Sequence, residues 1–201
     1  MTNHLKHKLL PSIGVFVSFI LFALAAALYP GGYDWAGDFI SRFFRSSSTE
    51  EIGVARYVAI LAMFVLCVSV ALTFKLISTR PRKQAVKKII EIGGIGSTVY
   101  AFLIVTPMHD LLVGIALLFF VPALGAALHF AREEGQLALW GIGVGCLGLL
   151  MVSATMYYGN LFWDLLPVAQ KVSLAACVGW LLALQLTTKS DASTGQIFPS
   201  G

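Results

Sequence analysis

Six runs of about twenty apolar residues, separated by short breaks rich in charge, Pro or Gly, constrain this chain more than any other feature. They cover approximately Leu9 to Tyr29, Val54 to Ile77, Ile89 to Pro107, Leu111 to Phe130, Leu137 to Tyr158 and Leu166 to Leu186. At about 1.5 Å per residue, such a run crosses the roughly 30 Å of a bilayer's hydrocarbon core. Inside lipid a helix satisfies its own backbone groups, whereas an isolated strand does not. The runs are continuous rather than alternating, which argues against a β-barrel. The expected fold is all-α: a polytopic membrane protein in which residues 1–188 form a bundle of six transmembrane helices and residues 189–201 a short polar tail. Composition agrees, because 58% of the 201 residues are hydrophobic and only 12% charged, with a mean hydropathy of +0.83. Soluble domains hold about 45–50% apolar and about 25% charged residues. Cys67, Cys146 and Cys177 each lie within an apolar run, so a disulfide scaffold is excluded and buried, reduced thiols are expected.

The formal charge of +4 is a topology signal rather than a nucleic-acid footprint. With the N-terminus cytoplasmic, ten of the 14 Lys and Arg fall inside (Lys6, Lys8, Lys75, Arg80, Arg82, Lys83, Lys87, Lys88, Arg132 and Lys189). The other four, Arg42, Arg45, Arg56 and Lys171, fall outside, which satisfies the positive-inside rule and places both termini in the cytoplasm. The first helix follows Lys6 and Lys8 as a signal peptide would, but its apolar core exceeds the ~7–15 residues of a signal sequence, and a retained helix is expected. Glycines supply the packing handles. Gly141 and Gly145, with Gly143 and Gly148, and Gly93, Gly94 and Gly96 with Ser97 and Thr98, let helices approach closely within the bundle, or between two copies of it.

The longest loop, Pro30 to Gly53, carries a pattern of its own. From Asp34 to Arg45, Trp35, Phe39, Ile40, Phe43 and Phe44 recur at helical spacing opposite Asp34, Asp38, Arg42 and Arg45. This predicts a short interfacial helix over about Asp34 to Phe44, with Asp38 and Arg42 as an i,i+4 pair, lying in the outer interface or capping the bundle. Ser46 to Glu51 reads as an exposed loop in which Ser48 or Thr49 caps the second helix.

Ionisable groups at membrane helices are functional candidates by default. His109 and Asp110, in the turn before the fourth helix, share the outer side with Asp34, Asp38, Ser41, Asn160, Asp164 and Lys171. A His beside carboxylates can serve as a general base or metal ligand, and equally as a solvated turn with an N-cap. The candidate catalytic residues are therefore His109, Asp110, Asp34, Asp38 and Ser41, and the candidate metal ligands His109, Asp110 and Asp38. Arg42, Asp164 and Lys171 complete an outer polar cluster, within which His109 is expected to touch a carboxylate of the first loop or of its own turn. Lys171 is expected to pair with Asp164 or a first-loop carboxylate, Glu91 with Lys87, and Lys75 to snorkel. His129 lies a membrane thickness from His109, and His4 and His7 lie in the N-terminal tail, so no bis-histidine haem is expected. Gly-x-Ser-x-Gly, His-Glu-x-x-His and Cys-x-x-Cys are absent.

Four stretches carry a resemblance: Tyr29-Pro30-Gly31-Gly32, Asp38-Phe39-Ile40-Ser41, Thr106-Pro107-Met108-His109-Asp110 and Pro167-Val168-Ala169-Gln170-Lys171. With these the chain resembles the six-helix bacterial and archaeal family called domain of unknown function 998. That family is similar in layout to the DRAM and Sfk-type membrane proteins, whose first extracytoplasmic loop carries a Tyr-Ile-Ser-Asp-Leu-Gly-like stretch. Phe39-Ile40-Ser41 matches this stretch, while Arg42-Phe43-Phe44 replaces its acidic part. The resemblance implies a fold and a membrane location, not an activity.

Two function classes follow. The first is a non-catalytic integral membrane protein that contacts lipid or a membrane partner through its extracytoplasmic face. The second is a metal-dependent hydrolase acting on a lipid or amphiphile at the outer leaflet. A small transporter is disfavoured by the scarcity of mid-membrane charge. The expected partners are membrane lipids and a membrane protein or second copy, with no nucleic acid and no cofactor.

Overall fold

Each apolar run becomes helix in the computed structural model, which describes residues 3–44, 53–106 and 108–187, with side chains from residue 8 onward. The order is α1 (Asn3–Ala27), a 3-10 turn (Ile40–Phe44), α2 (Gly53–Ser78), α3 (Gln84–Lys88), a π turn (Ile89–Gly93), α4 (Gly94–Leu103), α5 (His109–Glu133), α6 (Leu137–Gly159) and α7 (Leu166–Thr187), with no strand among the described residues. Five segments, α1 from Lys8, α2, α5, α6 and α7, are long and apolar enough to cross a membrane. The molecule is thus an all-α polytopic membrane protein. Helices α3 and α4 join through the π turn into one unbroken helical stretch from Gln84 to Leu103, which starts and ends before the expected 89–107. Its early end fits the approach to Pro107, since a proline pushes the residue before it out of helical geometry. Arg45, the Ser46–Glu51 stretch with its expected cap, Pro107 and the polar tail lie outside the described residues.

Small and hydroxyl side chains are buried beside large ones such as Phe74, Phe130 and Trp180, while large apolar side chains also cover the outside of the bundle, as expected where lipid surrounds the helices. Ala55, Ala59 and Ala62 of α2 are buried, whereas Phe16, Ile20, Tyr57, Phe64, Leu118 and Val152 are exposed to the surroundings of the bundle. Helix α2 is central and packs on α1, α4 and α7. Close approach depends on glycine: a methyl group at Gly14 would collide with Ser69, and one at Gly94 with the Phe74 ring. Buried hydroxyls return to their own helix, as in Ser18 to the Val15 carbonyl at 2.7 Å and Thr73 to the Ser69 carbonyl at 2.9 Å.

Several expectations are corrected. On α6 the contact glycine is Gly143, which fits against Trp180, while a methyl group at Gly141, Gly145 or Gly148 would meet no neighbour within 4 Å, so these three face away from the bundle. Trp180 decides this rotation, because its indole N–H reaches over α6 to the Leu139 carbonyl at 2.7 Å. Glu91 pairs with Lys75 of α2 at 2.5 Å rather than with Lys87, so Lys75 does not simply snorkel. The interfacial helix shrinks to the 3-10 turn Ile40–Phe44. Its first half is lost because Asp34 and Asp38 turn their carboxylates onto local backbone: Oδ1 of Asp34 accepts from the Ala36 amide at 2.8 Å, and Oδ2 of Asp38 from the Asp34 amide at 2.9 Å. Such Asx-type bonds compete with helix.

The two ends of the bundle differ. At the end bearing the α2–α3 loop, Arg80 Nη2 donates to the Gln185 carbonyl at 2.7 Å and Gln185 Nε2 donates to the Lys8 carbonyl at 3.1 Å, tying α1, α2 and α7 together. Lys83 and His129 converge on Glu133 there, at 2.6 and 3.2 Å. The opposite end carries the first loop.

Candidate functional site

At the loop end the chain leaves α1 through Tyr29-Pro30-Gly31-Gly32. Gly31 and Gly32 adopt φ of 78° and 85°, a region that side chains rarely enter. This turn folds the loop back over the bundle, where Phe43 and Phe44 become buried. Phe43 stacks on Tyr33 at 4.2 Å and meets Tyr29 and Phe22 at 5.7 and 6.2 Å. The apolar half of the predicted amphipathic element therefore plugs the bundle, while Trp35 remains exposed.

Polar contacts hold this cap. Arg42 pairs with Oδ1 of Asp38 and lies over the Tyr29 ring at 5.2 Å. Lys171 of α7 donates to the backbone carbonyl of Asp38 and, at 3.1 Å, to that of Pro167, so it grips the first loop through a carbonyl rather than through a carboxylate. Burial tends to raise the Asp38 carboxyl, but the Arg42 hydrogen bond, the Asp34 amide and the charges of Arg42 and Lys171 outweigh it and hold it below the usual carboxylate range. The same hydrogen bond to Asp38 raises the Arg42 guanidinium, against a weaker effect of burial. Burial, followed by the negative charge of Asp38, raises the Tyr33 phenol, whose hydroxyl donates to the Asp38 carbonyl at 3.1 Å.

His109 and Asp110 open α5 beside this cap. His109 Nδ1 lies 3.0 Å from Oδ1 of Asp110, the same oxygen that accepts the Tyr157 hydroxyl at 2.6 Å. The carboxylate that His109 meets is thus that of its own turn. The candidate residues divide into two sets: Asp34, Asp38, Arg42 and Lys171 build the cap, and His109 and Asp110 join Tyr157 of α6. Asp164 sits exposed in the α6–α7 loop. That loop begins with Asn160 and Phe162 at φ of 51° and 47°, and it presents Trp163 to Tyr157, stacked at 6.0 Å, and to Phe39 at 5.7 Å. Among the described residues, no three His, Cys, Asp or Glu side chains converge as a metal's ligand set does.

Between cap and helices lies a cavity of ≈ 280 Å³. Phe39, Ile40, Ser41 and Phe44 of the first loop line its loop end together with His109, Tyr157 and Gln170. Its inner reach is lined by Val70, Phe120 and Cys177, beside the Ser153–Ser173 hydroxyl pair at 2.7 Å. From Leu166 to Cys177 along α7 is about 16 Å at the helical rise, or half the thickness of a bilayer core. No lining residue is Asp, Glu, Lys or Arg. Ser41 and His109 both line the cavity but share no hydrogen bond. Tyr157 and the Ser153–Ser173 pair are the parts that residue types alone did not reveal. The only signal for them was hydroxyls placed on two neighbouring apolar runs.

These features define a class: a helical membrane protein with a mostly apolar internal cavity capped by a loop. No family model matches the chain, and no curated protein or solved structure matches it either.

Proposed function

We propose that this protein is a non-catalytic membrane protein that holds one amphiphile of the outer leaflet, with its hydrocarbon chain in the cavity and its polar head beneath the first-loop cap. The positive-inside bias of the sequence supports placing the cap outside. The cavity carries the reading: it is mostly apolar, with His109, Tyr157 and Gln170 at the loop end, only the neutral hydroxyls of Ser97, Thr98, Ser153 and Ser173 further in, and a depth of about one leaflet. An apolar cavity of about 150 Å³ holds a benzene ring, so ≈ 280 Å³ has room for roughly ten to twelve carbons. The likeness to the domain of unknown function 998 family belongs to the same reading, as a fold without an assigned activity.

The test is native mass spectrometry of the protein released from nanodiscs containing 1-monolauroylglycerol. One bound molecule per chain is expected, and it should be lost in Ala116→Phe, which fills the cavity from α5. Equal retention by that variant would refute the reading.

One observation favours a hydrolase as the second reading. Asp110 occupies Nδ1 of His109, which leaves Nε2 as the remaining ring nitrogen of a His that shares a cavity with Ser41. Such a histidine can act as a base once a substrate brings hydroxyl and ring together. Release of laurate from 1-monolauroylglycerol by the wild type, abolished in Ser41→Ala and in His109→Ala, would establish that reading over the first.

A further inference from the structure

The cavity contains a buried acceptor with no donor. The Gln170 side-chain oxygen is buried and has no hydrogen-bond partner among the described residues, and Gln170 lines the cavity one turn along α7 from Leu166. Three donors at this end of the bundle are engaged elsewhere. The Tyr157 hydroxyl is held by Asp110 at 2.6 Å, the Lys171 ammonium points to the Asp38 and Pro167 carbonyls, and His109 Nδ1 faces Asp110. A buried carbonyl left without a donor is costly, and a ligand that supplies one recovers that cost on binding. The lining also excludes charge: with no Asp, Glu, Lys or Arg on the wall, an ionic head would leave water without meeting a counter-charge.

We propose that the site selects an amphiphile whose head is uncharged and donates a hydrogen bond, either a hydroxyl or an amide N–H, and that Gln170 receives that bond. The inference rests on the amphiphile reading above and adds the chemistry of the head. It makes Gln170, and not the ionisable cluster around Asp38, the residue that determines specificity. Arg42, Asp38 and Lys171 satisfy one another and serve the cap.

Four probes with twelve-carbon chains separate the possibilities in nanodiscs at pH 8: 1-monolauroylglycerol (uncharged, donating), methyl laurate (uncharged, accepting only), dodecyl phosphate (anionic) and dodecylammonium (cationic, donating). The wild type is expected to bind 1-monolauroylglycerol about tenfold more tightly than methyl laurate, the worth of one well-made hydrogen bond, and to bind both ions more weakly still. Gln170→Leu should bring 1-monolauroylglycerol and methyl laurate to within about twofold of each other without weakening methyl laurate, a result that general unfolding cannot produce. Gln170→Glu should shift the preference to dodecylammonium, because a buried carboxylate then seeks a cation. Equal binding of all four probes by the wild type would overturn the head selection and leave the cavity reading standing. Binding of none would overturn both. An unchanged preference in Gln170→Leu would assign the head to another residue and overturn this inference.

Discussion

Replacing Phe43 with Ala tests whether the first loop is part of the packed bundle or merely lies on lipid. Phe43 is 1% exposed and stacks on Tyr33 at 4.2 Å, with Tyr29 and Phe22 completing the pocket. Truncating a buried Phe costs about 3–5 kcal/mol, and a single aromatic pair accounts for about 1 kcal/mol of such contacts. The lower part of that range applies here, because the loop end borders water and the cavity left behind can wet; about 3 kcal/mol is expected. For a chain of this size, each kcal/mol moves the midpoint by about 2–4 °C, so the fall should be roughly 10 °C. The three buried thiols, Cys67, Cys146 and Cys177, provide the assay, since a thiol-reactive dye reports their exposure on heating. Trp35→Ala is the control: Trp35 is 51% exposed and touches Tyr33 edge-on, and its loss should cost less than about 1 kcal/mol. A Phe43→Ala midpoint within about 2 °C of wild type, or a larger loss from Trp35→Ala, would refute the docked cap.

The glycines of α6 should behave oppositely: Gly143→Ala collides with Trp180 and should cost about 1–3 kcal/mol, whereas Gly145→Ala meets nothing and should be neutral or stabilising by the same dye assay. The cap should loosen in acid. Asp38 is held below its ordinary value of 3.8, so its contribution is present above that value and is lost as the pH falls through the lower folded one; Asp38→Asn should flatten the fall in midpoint below about pH 4. For topology, single cysteines at Ala36 and Ala85 in a background without the native three should label from opposite faces, Ala36 from outside, with an impermeant maleimide, and labelling of both from one face would contradict the charge argument.

The membrane helices are legible in the sequence because lipid leaves a twenty-residue apolar run almost no alternative. The first-loop helix is shorter than its spacing predicts for a local reason. The spacing of Phe39 and Phe43 is helical, but Asp34 and Asp38 have short acceptors that satisfy backbone amides without a helix. Which glycine of α6 forms a contact depends on how the helix is rotated, and the Trp180 bond to Leu139 that fixes the rotation joins residues 41 apart along the chain. Ion pairing escapes the sequence in the same way, since Lys87 is the sequence neighbour of Glu91 whereas Lys75 is the spatial one. His109, Asp110 and Ser41 can be picked out as residue types. That Asp110 joins Tyr157, and that Gln170 keeps a buried oxygen unpaired, are products of how α5, α6 and α7 meet.

The tie of Arg80 to Gln185, and of Gln185 to Lys8, has a kinetic consequence. Burial lowers the Arg80 guanidinium, partly offset by Glu134, yet the group is spent on a backbone carbonyl in the last turns of α7 rather than on solvent. Three helix ends are thereby tied together on one side of the bundle, while on the other side α1 and α2 are separated by a loop held by its buried rings, by the Arg42–Asp38 pair and by Lys171. The route between cavity and surroundings is then expected on the capped side, where a loop rather than a helix-to-helix tie covers the bundle. On the proposed reading, a molecule that enters the cavity leaves on the side from which it came, so the protein samples a single leaflet and does not carry lipid across the membrane.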